Sequence, residues 1–281
     1  MNRNPAGLSS VPGGSVFGAN FHLGDPACEY GCGSVYQVQP PSTAGGSWST
    51  TQIFRFRGDG EGEEPNSTLV GDGSGVLYGV VGGAGAHNFG AVFSLTPPVA
   101  PEVNWSEQVL YSFRAGLDGD YPAAGLTIGA GGTLYGTTAL GGGTGCGGNG
   151  CGTVFSLAPP IEPGGKWTEQ VLHAFQAGAD GYEPEASGSN LVAGSGGLLY
   201  GFSTLGGTPG FGILFQLTPP AGGVGPWNET ILHTFAGGAD GERPESAPTI
   251  DANGVLYGFV GGGAGTPCQG NGCGVVYQYV P

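Results

Sequence analysis

Two kinds of residue in this chain are arranged as if for chemistry: acids gathered in short Asp-Gly loops, and cysteines in close pairs. Four segments, residues 59–65, 118–122, 180–184 and 240–244, open on an Asp-Gly pair and close on a proline. Extended just past that proline, they hold Asp59, Glu61, Glu63, Glu64, Asp118, Asp120, Asp180, Glu183, Glu185, Asp240, Glu242 and Glu245, twelve of the 21 acids. Calcium selects several oxygen ligands held together, so Asp59, Glu61 and Glu63 are candidate calcium ligands. A ring beside a carboxylate holds a sugar, the ring on its apolar face and the acid on its hydroxyls. Asp118, Asp120, Tyr121, Asp180, Tyr182, Glu183, Asp240 and Glu242 are accordingly candidate ligand-binding residues. The competing account is turn chemistry, in which Asp accepts backbone N–H bonds and Gly takes positive φ. For the repeated Asp59, Asp118, Asp180 and Asp240 that account is preferred, and the tyrosines can equally fold onto their own strands.

The cysteines fall as Cys28/Cys32, Cys146/Cys151 and Cys268/Cys273. Three short-range pairs read as three local disulfides, stapling glycine-rich hairpins in an oxidising compartment. Zinc is the rival, but it favours four ligands with CxxC spacing and nearby histidine. No secretory leader precedes Pro5, so an exported chain would carry it upstream of these residues. Other polar repeats have plainer readings. Glu107, Glu169 and Glu229 each follow a tryptophan by two residues and read as charge guarding an outer strand. His173 and His233 take the slot of Tyr111, which suggests packing, while His22 and His87 are too few for a metal site. Neither a G-x-S-x-G elbow nor a P-loop is present.

The elements that must position these loops are strands. Leu77-Tyr78-Gly79 recurs as Leu134-Tyr135-Gly136, Leu199-Tyr200-Gly201 and Leu256-Tyr257-Gly258, with Val16-Phe17-Gly18 as a degenerate first copy. A second motif ends in Val35-Tyr36, Val92-Phe93, Val154-Phe155, Leu214-Phe215 and Val276-Tyr277. A third runs from Trp48, Trp105, Trp167 and Trp227 to Phe56, Phe113, Phe175 and Phe235. In it Trp105, Glu107, Val109, Tyr111 and Phe113 fall on one face with Ser106, Gln108 and Ser112 on the other, a period of two that means strand. A fourth, short element precedes each Leu-Tyr-Gly copy. Each repeat is therefore four strands, A to D, and four antiparallel strands with short turns make a propeller blade.

The expected fold is all-β, a five-bladed β-propeller in a single repeat domain spanning 1–281, with repeats at 5–56, 65–113, 122–175, 184–235 and 244–281. Strand D occurs only four times, so the last blade is expected to be incomplete, an open edge through which copies could associate. Alternating strands put the B–C and D–A loops on one face, which is then acidic.

Composition narrows the partners. Glycine numbers 63, and the formal net charge is −15 with only 6 basic residues. A nucleic-acid backbone needs clustered Lys and Arg, so nucleic acid is not an expected partner. Lysine scarcity argues against anionic membranes, and no apolar run approaches the ~20 residues that span a bilayer.

Leu134-Tyr135-Gly136-Thr137-Thr138, then residues 152–157, then Trp167 to Leu172, then Asp180-Gly181 with Pro184, resemble the GloVer-type tandem repeats of bacterial surface and secreted proteins. The resemblance implies an extracytoplasmic location and no particular reaction. The expected function is a non-catalytic binding or cell-surface interaction module for glycans or other surface components, without a cofactor unless calcium enters the acidic loops. The alternatives are a carbohydrate-active hydrolase using loop carboxylates, and a structural matrix or filament subunit.

Overall fold

The structure, a computed structural model, describes residues 7–10, 15–20, 32–57, 65, 67–83, 85–184, 190–223, 225–244, 246–262 and 274–281. It is all-β: five four-stranded antiparallel sheets, the blades of a five-bladed β-propeller. Among the described residues, helix is limited to single 3-10 turns, and none is long and apolar enough to cross a membrane. The chain forms two compact units, residues 1–114 and residues 115–281.

The first unit holds two blades. Blade 1 is β1 (Ser9–Ser10), β2 (Val16–Asn20), β3 (Ser34–Gln39) and β4 (Ser49–Arg55); blade 2 is β5 (Val70–Gly71), β6 (Leu77–Val81), β7 (Ala91–Thr96) and β8 (Ser106–Ser112). The second unit holds three. Blade 3 is β9 (Thr127–Ile128), β10 (Leu134–Thr138), β11 (Thr153–Ala158) and β12 (Thr168–Ala174). Blade 4 is β13 (Val192–Ala193), β14 (Leu199–Ser203), β15 (Ile213–Thr218) and β16 (Asn228–Thr234). Blade 5 is β17 (Glu242–Pro244), β18 (Thr249–Ile250), β19 (Leu256–Gly261) and β20 (Val275–Tyr279). Blades 1 to 4 run A-B-C-D in spatial order.

Blade 5 reaches four strands differently. Both β17 and β18 pair along one edge of β19, and β20 pairs along the other. The extra strand is thus a D–A loop segment, and β20 is the last strand among the described residues. Phe259 and Val276 are correspondingly 63% and 68% exposed.

The Leu-Tyr-Gly motif has a steric cause. A Cβ on Gly79, Gly136 or Gly201 would sit 2.6 Å from Cζ of Phe93, Phe155 or Phe215, the strand C ring lying across it. Those three rings are fully buried. Each blade then joins the next within its unit through strand D's last ring. Phe56 meets Phe93 edge-on at 5.2 Å, and Phe175 meets Phe215 at 5.4 Å. Burying one such ring contributes roughly 1.5–3 kcal/mol, more than a typical hydrogen bond adds net, so ring packing is the main term between blades.

Strand D does not alternate throughout. Val154 pairs with His173 but Phe155 pairs with Val171, leaving Leu172 as an extra residue. The same register shift occurs in the other three D strands, at Ile53, Leu110 and Leu232. A β-bulge re-aims the side chains beyond it. Glu169 and Val171 face one side of the blade, while His173 faces the other. The single-face alternation expected for Trp105 to Phe113 is therefore broken after Val109.

Candidate functional site

In the second unit the three D–A loops share one backbone. Asp180 accepts the Gln176 N–H at 2.6 Å, and Asp240 accepts the Ala236 N–H at 2.7 Å. The next glycine has φ of +84° at Gly181 and +82° at Gly241, and a side chain there would run into Ser203 or Val260. The loop then pairs with the end of strand B. Asp120 and Leu140 exchange two backbone hydrogen bonds, at 2.9 and 3.0 Å, and the Tyr182 N–H donates to Leu205 O at 3.0 Å. In the third loop the pairing forms β17, with a register shift between Glu242 and Pro244. The residue before the proline is left-handed in all three: Tyr121 at φ 56°, Glu183 at 54°, Arg243 at 51°.

The loop carboxylates meet the bulged D strands. Glu169, ahead of the bulge in β12, lies against Asp118 of the loop that enters its own blade. Burial first, then the charge of Asp118 and a hydrogen bond with it, push the Glu169 carboxyl up to about 8. Glu229 of β16 stands in the same way against Asp180, and burial together with that neighbour raises it well above the carboxylate range. Burial alone would raise Asp180, but its polar contacts with His173 and Glu229 and the Gln176 N–H outweigh it and hold the carboxyl low. His173, beyond the bulge in β12, reaches this same loop aspartate from the other blade. Its Nε2 is 3.3 Å from Asp180 Oδ1 and 3.7 Å from Glu229 Oε1. Neither contact has hydrogen-bond geometry, and both His173 Nε2 and Glu229 Oε1 are buried without a hydrogen-bond partner.

The structure thus brings together Asp118 with Glu169, and His173 with Asp180 and Glu229. A period-two pattern misses these sets, because it makes Glu169 and Glu229 edge guards on an exposed strand; the Glu229 side chain is only 12% exposed. The recurring Glu two residues after Trp is the available signal, and its partner lies some fifty residues upstream in the preceding loop.

The remaining candidates have varied surroundings. Asp120 is half-buried, which raises its carboxyl. Tyr121 is 37% exposed. Tyr182 packs against the blade 3–blade 4 core. Glu183 and Glu242 are half-buried on the loop frame, and Arg243, which no sequence pattern singles out, is exposed. Asp240 pairs with His233, whose Nε2 is 3.1 Å from both carboxylate oxygens. Asp59, Glu61 and Glu63 lie outside the described residues. Nine positions separate Phe56 from Pro65, as they do Phe113 from Pro122, which puts Glu61-Gly62 rather than Asp59-Gly60 in register with Asp118-Gly119.

Cys146 and Cys151 form a disulfide, and Cys32 is also disulfide-bonded. Cys28, Cys268 and Cys273 lie outside the described residues.

The fold recurs in proteins of different kinds. A sialidase of Trypanosoma rangeli, solved with the inhibitor DANA, aligns with TM-score 0.52 and 12% identity over 99% of this chain and 46% of its own. PorZ, a surface component of the type-IX secretion system of Porphyromonas gingivalis, aligns with TM-score 0.51 and 11% identity over 90% of this chain and 30% of its own. A Dyadobacter fermentans protein of unknown function aligns with TM-score 0.52 and 11% identity over 92% and 74%. This chain spans less than half the length of the sialidase and of PorZ, and at such identities the likeness is one of fold alone. No curated protein matches the chain. The model of the Gloeobacter/Verrucomicrobia repeat matches residues 5–277, and the chain belongs to that family.

Proposed function

We propose that this protein is an extracytoplasmic, non-catalytic binding module whose D–A loops present one side-chain pair per blade to a polyhydroxylated ligand, a glycan of a cell surface. The observation that carries the reading is a constant loop frame with variable tips. Three loops share the same aspartate, glycine, proline and left-handed backbone, yet offer Asp120-Tyr121, Tyr182-Glu183 and Glu242-Arg243. A left-handed conformation costs an ordinary L-residue roughly 1–2 kcal/mol, and glycine would avoid it. Strain retained under a side chain points to a use for that side chain. Several weak contacts on one rigid array add through avidity. The disulfide and the membership of the repeat family support the location.

A hydrolytic reading would draw on the carboxyl pairs. Their members are in contact, whereas glycosidic chemistry needs two carboxyls roughly 5–10 Å apart with substrate between them. A filament or matrix role would instead use the open edge of β20, and particle sizing at increasing concentration tests it.

The binding reading is tested on a glycan array with the whole chain, with and without calcium, alongside Tyr121→Gly and Arg243→Gly. Retained hits for the wild type that weaken in both variants are expected. Silence across a broad array, or hits indifferent to both substitutions, would sink the proposal. Loss on calcium removal would add a metal to the loop face.

A further inference from the structure

The cluster at the boundary of blades 3 and 4 has more polar atoms than it has bonds to satisfy them. His173 Nε2, one oxygen of Asp180 and one of Glu229 all lie within 4.8 Å of one another. The imidazole nitrogen and Glu229 Oε1 are buried and unpartnered. A buried polar atom left unsatisfied is costly and calls for an explanation. Their spacing supplies one. Ligands about 2.0–2.1 Å from a tetrahedral zinc ion stand about 3.3–3.4 Å apart. The observed separations are 3.3 and 3.7 Å, and neither pair makes a direct hydrogen bond.

We infer that His173, Asp180 and Glu229 form a site for a divalent transition metal of the zinc class, tying blade 3 to blade 4. One imidazole and two carboxylates suit such an ion, whereas calcium takes six to eight oxygens. Two ligands come from blade 3 and its loop and the third from β16 of blade 4, so only the assembled pair of blades presents all three. The bulge at Leu172 turns His173 towards the loop, and the Gln176 N–H fixes Asp180 from behind. Equivalent positions lack the set. In sequence, Tyr111 replaces the histidine in blade 2, and residues 245–281 hold no Trp-x-Glu segment to face the His233–Asp240 pair.

The test uses the whole chain, stripped with a chelator and titrated with Zn²⁺ by calorimetry and with Co²⁺ by visible absorption. Expected are one tight Zn²⁺ per chain and a tetrahedral cobalt spectrum carrying a nitrogen ligand. Glu229→Gln preserves the shape of the side chain and should weaken binding about tenfold or more, while its metal-free melting curve stays cooperative. His173→Gln should abolish the cobalt bands. His233→Ala should bind like the wild type. No stoichiometric Zn²⁺, an octahedral all-oxygen cobalt spectrum, or equal binding by the folded Glu229→Gln variant would overturn the assignment.

Discussion

The boundary between blades 3 and 4 and the boundary between blades 4 and 5 are built from the same parts and end differently. In each, a loop aspartate caps a backbone N–H four residues upstream and faces a histidine that lies edge-on against the D-strand phenylalanine, 4.7 Å away in both cases. At the first, Glu229 of the next blade closes over the pair, and His173 and Asp180 are 16% and 22% exposed. At the second no such glutamate covers the pair among the described residues, and His233 and Asp240 are 42% and 38% exposed. Where the lid is missing, histidine and aspartate settle into ordinary hydrogen bonds. Where it is present, Glu229 stands beside them and His173 Nε2 is left buried without a hydrogen bond. The loop alone thus satisfies the aspartate, and the neighbouring blade converts a satisfied turn into a buried polar cluster.

The difference should appear most strongly in Asp180→Ala against Asp240→Ala. Removing Asp180 frees the Gln176 N–H and leaves His173 and Glu229 buried, a loss of about 2–3 kcal/mol. Asp240 is exposed enough for water to replace much of what it does, so about 1 kcal/mol is expected there. Urea unfolding of both variants reads the two numbers. Equal losses would mean that Glu229 adds nothing to the loop's own capping.

This asymmetry is only partly legible in the sequence. The repeat, the strand order and the need for glycine after Leu-Tyr come from motifs within a few residues of each other. The carboxyl pairs do not, because Glu169 meets Asp118 only once the loop some fifty residues upstream folds back onto strand D of its own blade. The bulge hides the rest. Trp167, Glu169, Val171 and His173 keep period two on paper, yet the extra Leu172 sends His173 to the opposite face, and nothing in the residue types announces it. That residues 244–281 hold no tryptophan strand is countable from four tryptophan strands against five Leu-Tyr-Gly-type elements. That the Glu242–Pro244 segment pairs with β19 is not, since the loop hydrogen bonds are backbone ones.

A medium effect is expected from pH, at the Glu169–Asp118 pair of blade 3. Glu169 is pushed up to about 8 in the fold from an ordinary value of 4.5. The folded state therefore binds the proton more tightly than the unfolded one. The stabilisation from this proton is complete below about pH 4.5 and is lost as pH rises through about 8. The urea midpoint should fall between pH 5 and pH 9. Glu169→Gln keeps a donor towards Asp118 without a titrating proton, so its midpoint should fall less over that range. An unchanged slope in the variant would show that burial against Asp118 does not hold the proton.

The smallest effect is expected where the loop frame is strained rather than buried. Tyr121 and Arg243 occupy left-handed backbone at φ 56° and 51°, each directly before a proline. Glycine there removes the Cβ penalty of roughly 1–2 kcal/mol but adds unfolded-chain entropy of similar size. Tyr121→Gly and Arg243→Gly should therefore change stability by less than about 1 kcal/mol, with either sign admitted by the balance. Glu183→Gly should lose somewhat more, because the Glu183 N–H and carbonyl both engage neighbouring segments, at Cys151 and Thr204, and a mobile glycine loosens them. Thermal melts of the three variants measure this directly. A large loss at Tyr121 or Arg243 would show that these side chains hold the fold together, and the case for their being presented to a ligand would fall with it.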